Sequence, residues 1–281
     1  MPPTATSAGL PFGLDPPLSQ RLSADRVYNP GSALLGPFQL YYPQWLFGTW
    51  TVTAKLTGFK APLGERFIST GLAREVADPR YGVGSAVQYE ARFYSTLPDT
   101  WANKLRVTAG QLPESAIIAD RAFNAKSLME ASLGYGGVQE SVYDPRGSPT
   151  RQTIVLSPSG PQGQPLGPRR LELYINNRFS ESDAAGDFVC AELFRRVKLG
   201  VRQVDVADSE AIYRFHRESD DRITGSKRRA IYLQPQDELY FEAGNCAVAL
   251  LDYALVLQRV DPGQDCVLTP KGVTQCVGPG G

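Results

Sequence analysis

The amino-acid sequence predicts an all-β fold: a single antiparallel barrel or sandwich, with one or two short helices and extended N- and C-terminal tails. Three observations predict it. Apolar and polar residues alternate with a period of two through several segments, turn residues punctuate the chain between them, and stretches with a helical period are scarce. The 281 residues suit one such domain plus tails, because single β-barrels and sandwiches run to roughly 200–250 residues.

Residues 1–44 read as a Pro-rich extended docking arm. Pro2, Pro3, Pro11, Pro16, Pro17, Pro30 and Pro37 forbid a long helix or a central strand there. The arm is nevertheless apolar, with Phe12, Leu14, Leu18, Tyr28, Phe38 and Tyr41 along it, and disordered linkers are poorer in such residues. It should therefore lie on a surface, either that of its own barrel, which is the first choice, or that of a partner. In the second case those six residues are the candidate partner-binding set.

The core domain is expected over residues 45–260. Trp50, Val52, Ala54 and Leu56 alternate with Thr51, Thr53 and Lys55, and Val87, Tyr89, Ala91 and Phe93 alternate with Gln88, Glu90 and Arg92; both read as half-buried strands. Further strands are expected at Lys104–Thr108, Ala116–Phe123, Gln152–Leu156, Leu171–Asn176, Ala211–His216, Arg228–Leu233 and Ala247–Val260. Asn124 is placed to cap a short helix through Leu133, stopped by Gly134. Asp187–Lys198 satisfies both a helical and a strand period. Residues 261–281 form a polar, Gly/Pro-rich tail expected to be exposed.

Charge narrows the function. Lys plus Arg equals Asp plus Glu, 29 against 29, and no dense basic run supplies the face that a nucleic acid needs. The nearest, Lys227-Arg228-Arg229, follows Glu218, Asp220 and Asp221 and reads as a solvated hairpin end. The longest apolar stretch, Ala247–Leu257, is interrupted by Asp252, whereas a membrane span needs about 20 apolar residues. The expectation is a chain peripheral to membranes, not integral. The first residues show no basic region followed by an apolar run, so no leader peptide is visible.

The four cysteines fit no zinc motif. Cys266 and Cys276 bracket a loop in a tail with little else to hold it. A disulfide there, or two free thiols, are the alternatives; the disulfide needs an oxidising compartment. Cys190 and Cys246 sit in apolar surroundings and read as buried thiols.

No constellation for catalysis emerges, and the expectation is a non-enzyme with neither metal nor cofactor. His216 is the single histidine; a dyad with Cys190 would need the sheet to bring the two together. Glu192, Asp237, Glu238 and Glu242 are candidate carboxylates by residue type alone. Trp45, Trp50 and Trp101 are candidate pocket residues, since aromatic side chains line ligand sites, with core packing as the alternative.

The run Pro43-Gln44-Trp45-Leu46-Phe47-Gly48-Thr49-Trp50 contains a Gly-x-Trp at the start of the first barrel strand, which resembles lipocalin-like proteins. Four longer stretches, Tyr42–Val52, Ile118–Asn124, Ile231–Asp237 and Leu239–Ala243, resemble an uncharacterised thylakoid-associated family of plants, green algae and cyanobacteria that carries a domain of unknown function. The resemblance covers roughly Arg21 to Val260 and brings no catalytic residues with it. The first resemblance implies a lipocalin-like barrel, and the second a chloroplast thylakoid location, with the lumen as the compartment.

Two functions are then expected. One is an accessory factor that binds a photosynthetic membrane complex, photosystem II during assembly or repair being the suspected partner, through the arm or the hairpin ends near 144–150 and 157–169. The other is a lipocalin-like carrier of a small apolar ligand such as a lipid, carotenoid or tetrapyrrole. A barrel of about eight strands can be filled by side chains or can hold one small ligand.

Overall fold

A computed structural model describes residues 16–32, 38–113, 115–183, 185–200, 204–263 and 265–277. Its helices are α1 (Leu18–Arg21), α2 (Thr70–Ala77), α3 (Trp101–Thr108), α4 (Arg121–Leu133) and α5 (Tyr240–Ala243). Its strands are β1 (Gly48–Lys60), β2 (Ala86–Ser95), β3 (Ile117–Ala119), β4 (Val138–Asp144), β5 (Ser148–Leu156) and β6 (Arg169–Ser182). They continue with β7 (Phe188–Leu199), β8 (Val204–Arg217), β9 (Arg222–Tyr232), β10 (Ala249–Arg259), β11 (Asp265–Leu268) and β12 (Thr274–Val277).

The fold is mostly antiparallel β, as the alternation predicts. Ten strands form one curled sheet in the order β3-β2-β1-β10-β9-β8-β7-β6-β5-β4, and β11-β12 is a separate hairpin. Strand pairing does not close the sheet into a barrel; it is a half-barrel whose open seam is filled by a helix. Helix α4 packs against both β2 and β4, the two sides of the gap. It also pairs with the free edge of β2: the Asn124 side chain accepts from Arg92 N (2.7 Å) and donates to Arg92 O (3.1 Å), and Ser127 Oγ accepts from Glu90 N (2.9 Å). Side chains thus stand in for the missing strand on an edge that would otherwise expose its backbone.

The helix begins earlier than the sequence suggests. Asp120, not Asn124, is the cap, its carboxylate accepting from Phe123 N at 3.1 Å. The strand expected over Ala116–Phe123 therefore stops at Ala119. The end falls where expected, at Gly134 in the left-handed region (φ 75°). The strand expected at Lys104–Thr108 is instead α3, because Thr100 caps it by accepting from Asn103 N at 3.2 Å. Asp187–Lys198 resolves as strand β7.

The tail is not simply exposed. Cys266 and Cys276 are disulfide-bonded across the β11-β12 hairpin. Gln275 docks this hairpin on β2, accepting from Ser95 N (2.9 Å) and donating to Ser95 O (3.0 Å). Val267 is 1% exposed and belongs to the main core with Trp50, Phe93 and Leu257.

Residues 16–32 of the arm lie on the protein's own sheet. Leu18 and Val27 bury themselves against Val189, Ala191, Leu193, Ile212 and Leu250 on the convex face, each contributing about 1.5–3 kcal/mol. Buried charges pin it there. Arg21 ion-pairs with Glu210, whose carboxylate also accepts from Tyr232 Oη at 2.8 Å. Arg228 grips Asp252 (2.6 and 2.9 Å) and donates to the carbonyls of Arg21 (3.0 Å) and Ala24 (2.6 Å). Lys227, Arg228 and Arg229 are therefore not a solvated hairpin end. They lie within β9, and the hairpin turn comes earlier, where Glu218 N and Ser219 N donate to Arg222 O.

Candidate functional site

The curl of the sheet creates a concave inner face, and alternation fixes which residues face it. From the register, Val52 and Ala54 of β1, Val87, Tyr89, Ala91 and Phe93 of β2, and Tyr253, Leu255 and Leu257 of β10 point inward together. So do Ile223, Gly225, Lys227 and Arg229 of β9, Ala211, Tyr213 and Phe215 of β8, and Cys190, Glu192, Phe194 and Arg196 of β7. A side chain at Gly225 would collide with Arg214 O, so the glycine lets β8 and β9 approach closely at the deepest curl.

A cavity of about 970 Å³, open mouth included, occupies this face. Val52, Tyr89, Phe93, Phe194, Tyr213, Phe215, Leu255 and Leu257 line it from the sheet and Tyr42 from the segment before β1, with Ala125 and Leu128 of α4 opposite. Lining residues from β1, β2, β5, β6, β7, β8, β10 and α4 face one another across it. A second hollow of about 1330 Å³, open mouth included, follows on along the same strands and helix, lined by Val87, Tyr253, Met129 and, from α2, Gly71, Arg74 and Glu75.

Charged groups line the second hollow at Arg74, Glu75, Asp78 and Arg80, whereas those of the first are confined to one network. In the first hollow, Glu192 is held by Arg178 Nε at 2.9 Å and by Arg121, and Arg178 also donates to the carbonyls of Phe38 and Pro149. This network ties β6, β7, α4 and the arm together. Burial pushes the Cys190 thiol well up, with the Glu192 charge adding to it, which makes that sulfur unreactive. Burial likewise raises the Tyr89 phenol to about 12. Lys227 lines neither hollow, but its ammonium lies 5.3 Å from the ring centres of both Tyr213, which lines the first, and Tyr253, which lines the second.

The candidate pocket tryptophans do not line this cavity. Trp50 is fully buried in the core, its indole N–H donates to Leu46 O (2.9 Å), and the Arg259 guanidinium stacks on its ring at 4.2 Å. Gly48 is required beside it: its φ is 117°, and a side chain there would strike Arg259. Trp45 packs half-buried against the same core, and Trp101 is 77% exposed. Tyrosines and phenylalanines supply the lining instead.

Of the six arm residues, Leu18 is buried against the convex face of the sheet, while Tyr28, Phe38 and Tyr41 are exposed. Phe12 and Leu14 lie outside the described residues. His216 and Cys190 sit on opposite faces of the sheet, and His216 pairs instead with Asp187 (Nδ1 to Oδ1, 2.6 Å). Asp237 caps a turn by accepting from Gln234 N (2.6 Å), and Glu242 pairs with Arg66 on the surface. Among the described residues no group of acids, histidines and cysteines is arranged to hold a metal, and no helix is long and apolar enough to cross a membrane.

The groups that sequence reasoning missed are Lys227 and Arg229. The signal was there: the spacing that puts Ile223, Gly225 and Ile231 on the inner face puts these two cations on it as well.

Comparison with known proteins finds no match among curated proteins or solved structures. Residues 34–261 match one family profile, a domain of unknown function, and the chain belongs to that family, DUF6816.

Proposed function

We propose that the protein binds a small, largely apolar molecule in the concave face of its half-barrel. The single observation that carries this reading is the aromatic and aliphatic cavity between the sheet and α4, since small-ligand sites are concave and lined mainly by apolar and aromatic side chains. The sheet, backed by residues 16–32 and closed at one end of its inner face by the β11-β12 hairpin, acts as a rigid cup, and α4 and the segment carrying Tyr42 are its non-strand walls. Ligand entry buries apolar surface against Phe194, Leu255 and their neighbours, and that burial drives binding.

The test is titration with the neutral fluorophore N-phenyl-1-naphthylamine. Saturable binding of one equivalent is expected, and Ala125→Phe, which puts a ring into the cavity, should weaken it at least tenfold while leaving the urea midpoint within the range of folded protein. Absence of saturable binding by the parent protein would overturn the reading.

A second reading is favoured by Phe38, 71% exposed, and by Tyr28 and Tyr41 on the same arm. In it these residues dock the protein on a photosynthetic membrane complex at the thylakoid, with photosystem II the suspected partner. Replacing all three by Ser should abolish co-purification of such a complex from gently solubilised thylakoids. Unchanged recovery would sink this reading and leave the first untouched.

A further inference from the structure

We infer that the ligand of this cavity is an amphiphile with an anionic carboxylate head, received by Lys227 and Arg229 on the inner face of β9. The inference rests on the ligand-binding reading above and adds the chemical class of the ligand.

The argument starts from three consecutive cations with three different fates. Arg228 points outward and is fully engaged, by Asp252 and by two carbonyls of the arm. Lys227 and Arg229 point inward, roughly 7 Å apart along the strand. Neither forms an ion pair among the described residues. Lys227 faces Tyr213 from β8 and Tyr253 from β10, and the other charge acting on it is Arg229 of its own strand, which repels it. Arg229 faces Tyr253, Tyr213 and a further cation, Arg196 of β7; the carboxylate acting on it is Glu75 of α2, which forms no ion pair with it.

Unpaired charge in a concavity is unfavourable, and structures ordinarily neutralise it. Here water is partly withdrawn from both cations; no protein anion acts on Lys227, and Glu75 acts on Arg229 without forming an ion pair with it. The ammonium is held down to about 8 by that loss of hydration and by Arg229. A bound anion would restore the missing partner. Its position also fits an amphiphile: Lys227 lies over Tyr213, which lines the apolar first hollow, and over Tyr253, which lines the second, beside both without lining either. A tail lying along Leu255, Leu257 and Phe93 would bring its head to the ammonium.

The experiment is displacement of bound N-phenyl-1-naphthylamine by two ligands of one tail length, dodecanoate and dodecan-1-ol. At pH 7 dodecanoate should displace the fluorophore at a concentration at least tenfold lower. Lys227→Met should abolish that preference and Arg229→Met should reduce it, each measured against that variant's own fluorophore affinity. In the unsubstituted protein the preference should fade as pH rises through 8, since the ammonium loses its proton there, while displacement by the alcohol stays constant. Equal potency of acid and alcohol, or a preference that survives Lys227→Met, overturns the inference and leaves the apolar site standing. No fluorophore binding at all overturns both.

Discussion

Replacing Lys227 by Met should make the ligand-free protein more stable. The ammonium ordinarily loses its proton near 10.5 and is held here to about 8. At about 1.36 kcal/mol per pH unit, that difference corresponds to roughly 3 kcal/mol by which the folded state disfavours the charge at neutral pH. Contact with water at the mouth screens part of it, and the two tyrosine faces contribute on the order of 0.5–1 kcal/mol each in the opposite direction. The desolvation effect wins, and Lys227→Met should raise the unfolding free energy by about 1–2 kcal/mol at pH 7. The sign of the pH dependence follows from linkage. Between pH 8 and 10.5 the unfolded chain binds the proton that the folded chain has released, so the parent's stability rises with pH in that window. The advantage of the Met variant should therefore shrink toward pH 10. Urea unfolding of both proteins at pH 7 and pH 10, under non-reducing conditions, measures it. A Met variant less stable than the parent at pH 7, or a difference that does not change with pH, would refute the reasoning.

Three other substitutions probe how the cup is held in shape. Asn124→Ala removes both hydrogen bonds to Arg92, and should lower stability by about 1–3 kcal/mol and speed amide exchange along β2 ahead of β10. Cys266→Ser with Cys276→Ser opens the hairpin staple; a loss of roughly 2–3 kcal/mol is expected for so short a loop, read as a lower urea midpoint that matches the reduced parent. Arg228→Ala frees the carbonyls of Arg21 and Ala24 and leaves Asp252 unpaired, so limited proteolysis should cut within residues 16–32 several times faster than in the parent.

The strands were legible because the sheet has an inside and an outside almost everywhere. Trp50–Leu56 and Val87–Phe93 alternate in sequence because one face of each meets the core and the other meets water or a polar neighbour. Segments failed where alternation was fortuitous. Lys104–Thr108 alternates Leu105 with Val107, yet Thr100 caps a helix there, and only Val107 is buried. Strand β4 escaped notice because it is the sheet's edge and its burial pattern is mostly open. The disulfide pair was visible as two cysteines in a tail with little else to order it. The docking of that tail through Gln275 and Val267 was not, since a single apolar residue and an amide in a polar stretch carry no periodic signal. The site was least legible of all. Tryptophans draw attention as large aromatic residues, but here Trp50 is spent on sealing the core with Arg259, and the cavity is lined by more ordinary Tyr, Phe and Leu.

The same alternation explains why a basic tripeptide misleads. Read as a cluster, Lys227-Arg228-Arg229 is a patch of charge on a loop. Read with a period of two, it is one outward cation flanked by two inward ones, and the two faces of β9 treat them oppositely. The outer face supplies Arg228 with a carboxylate and the arm's carbonyls, so that its charge fastens the arm to the sheet. The inner face surrounds Lys227 with aromatic rings and a like charge. A chain optimised only for folding would place an apolar residue at 227, as its neighbours Ile223 and Ile231 on that face do. Keeping a lysine there lowers stability without an internal anion to offset it, and an anion arriving from outside is the partner that the arrangement lacks.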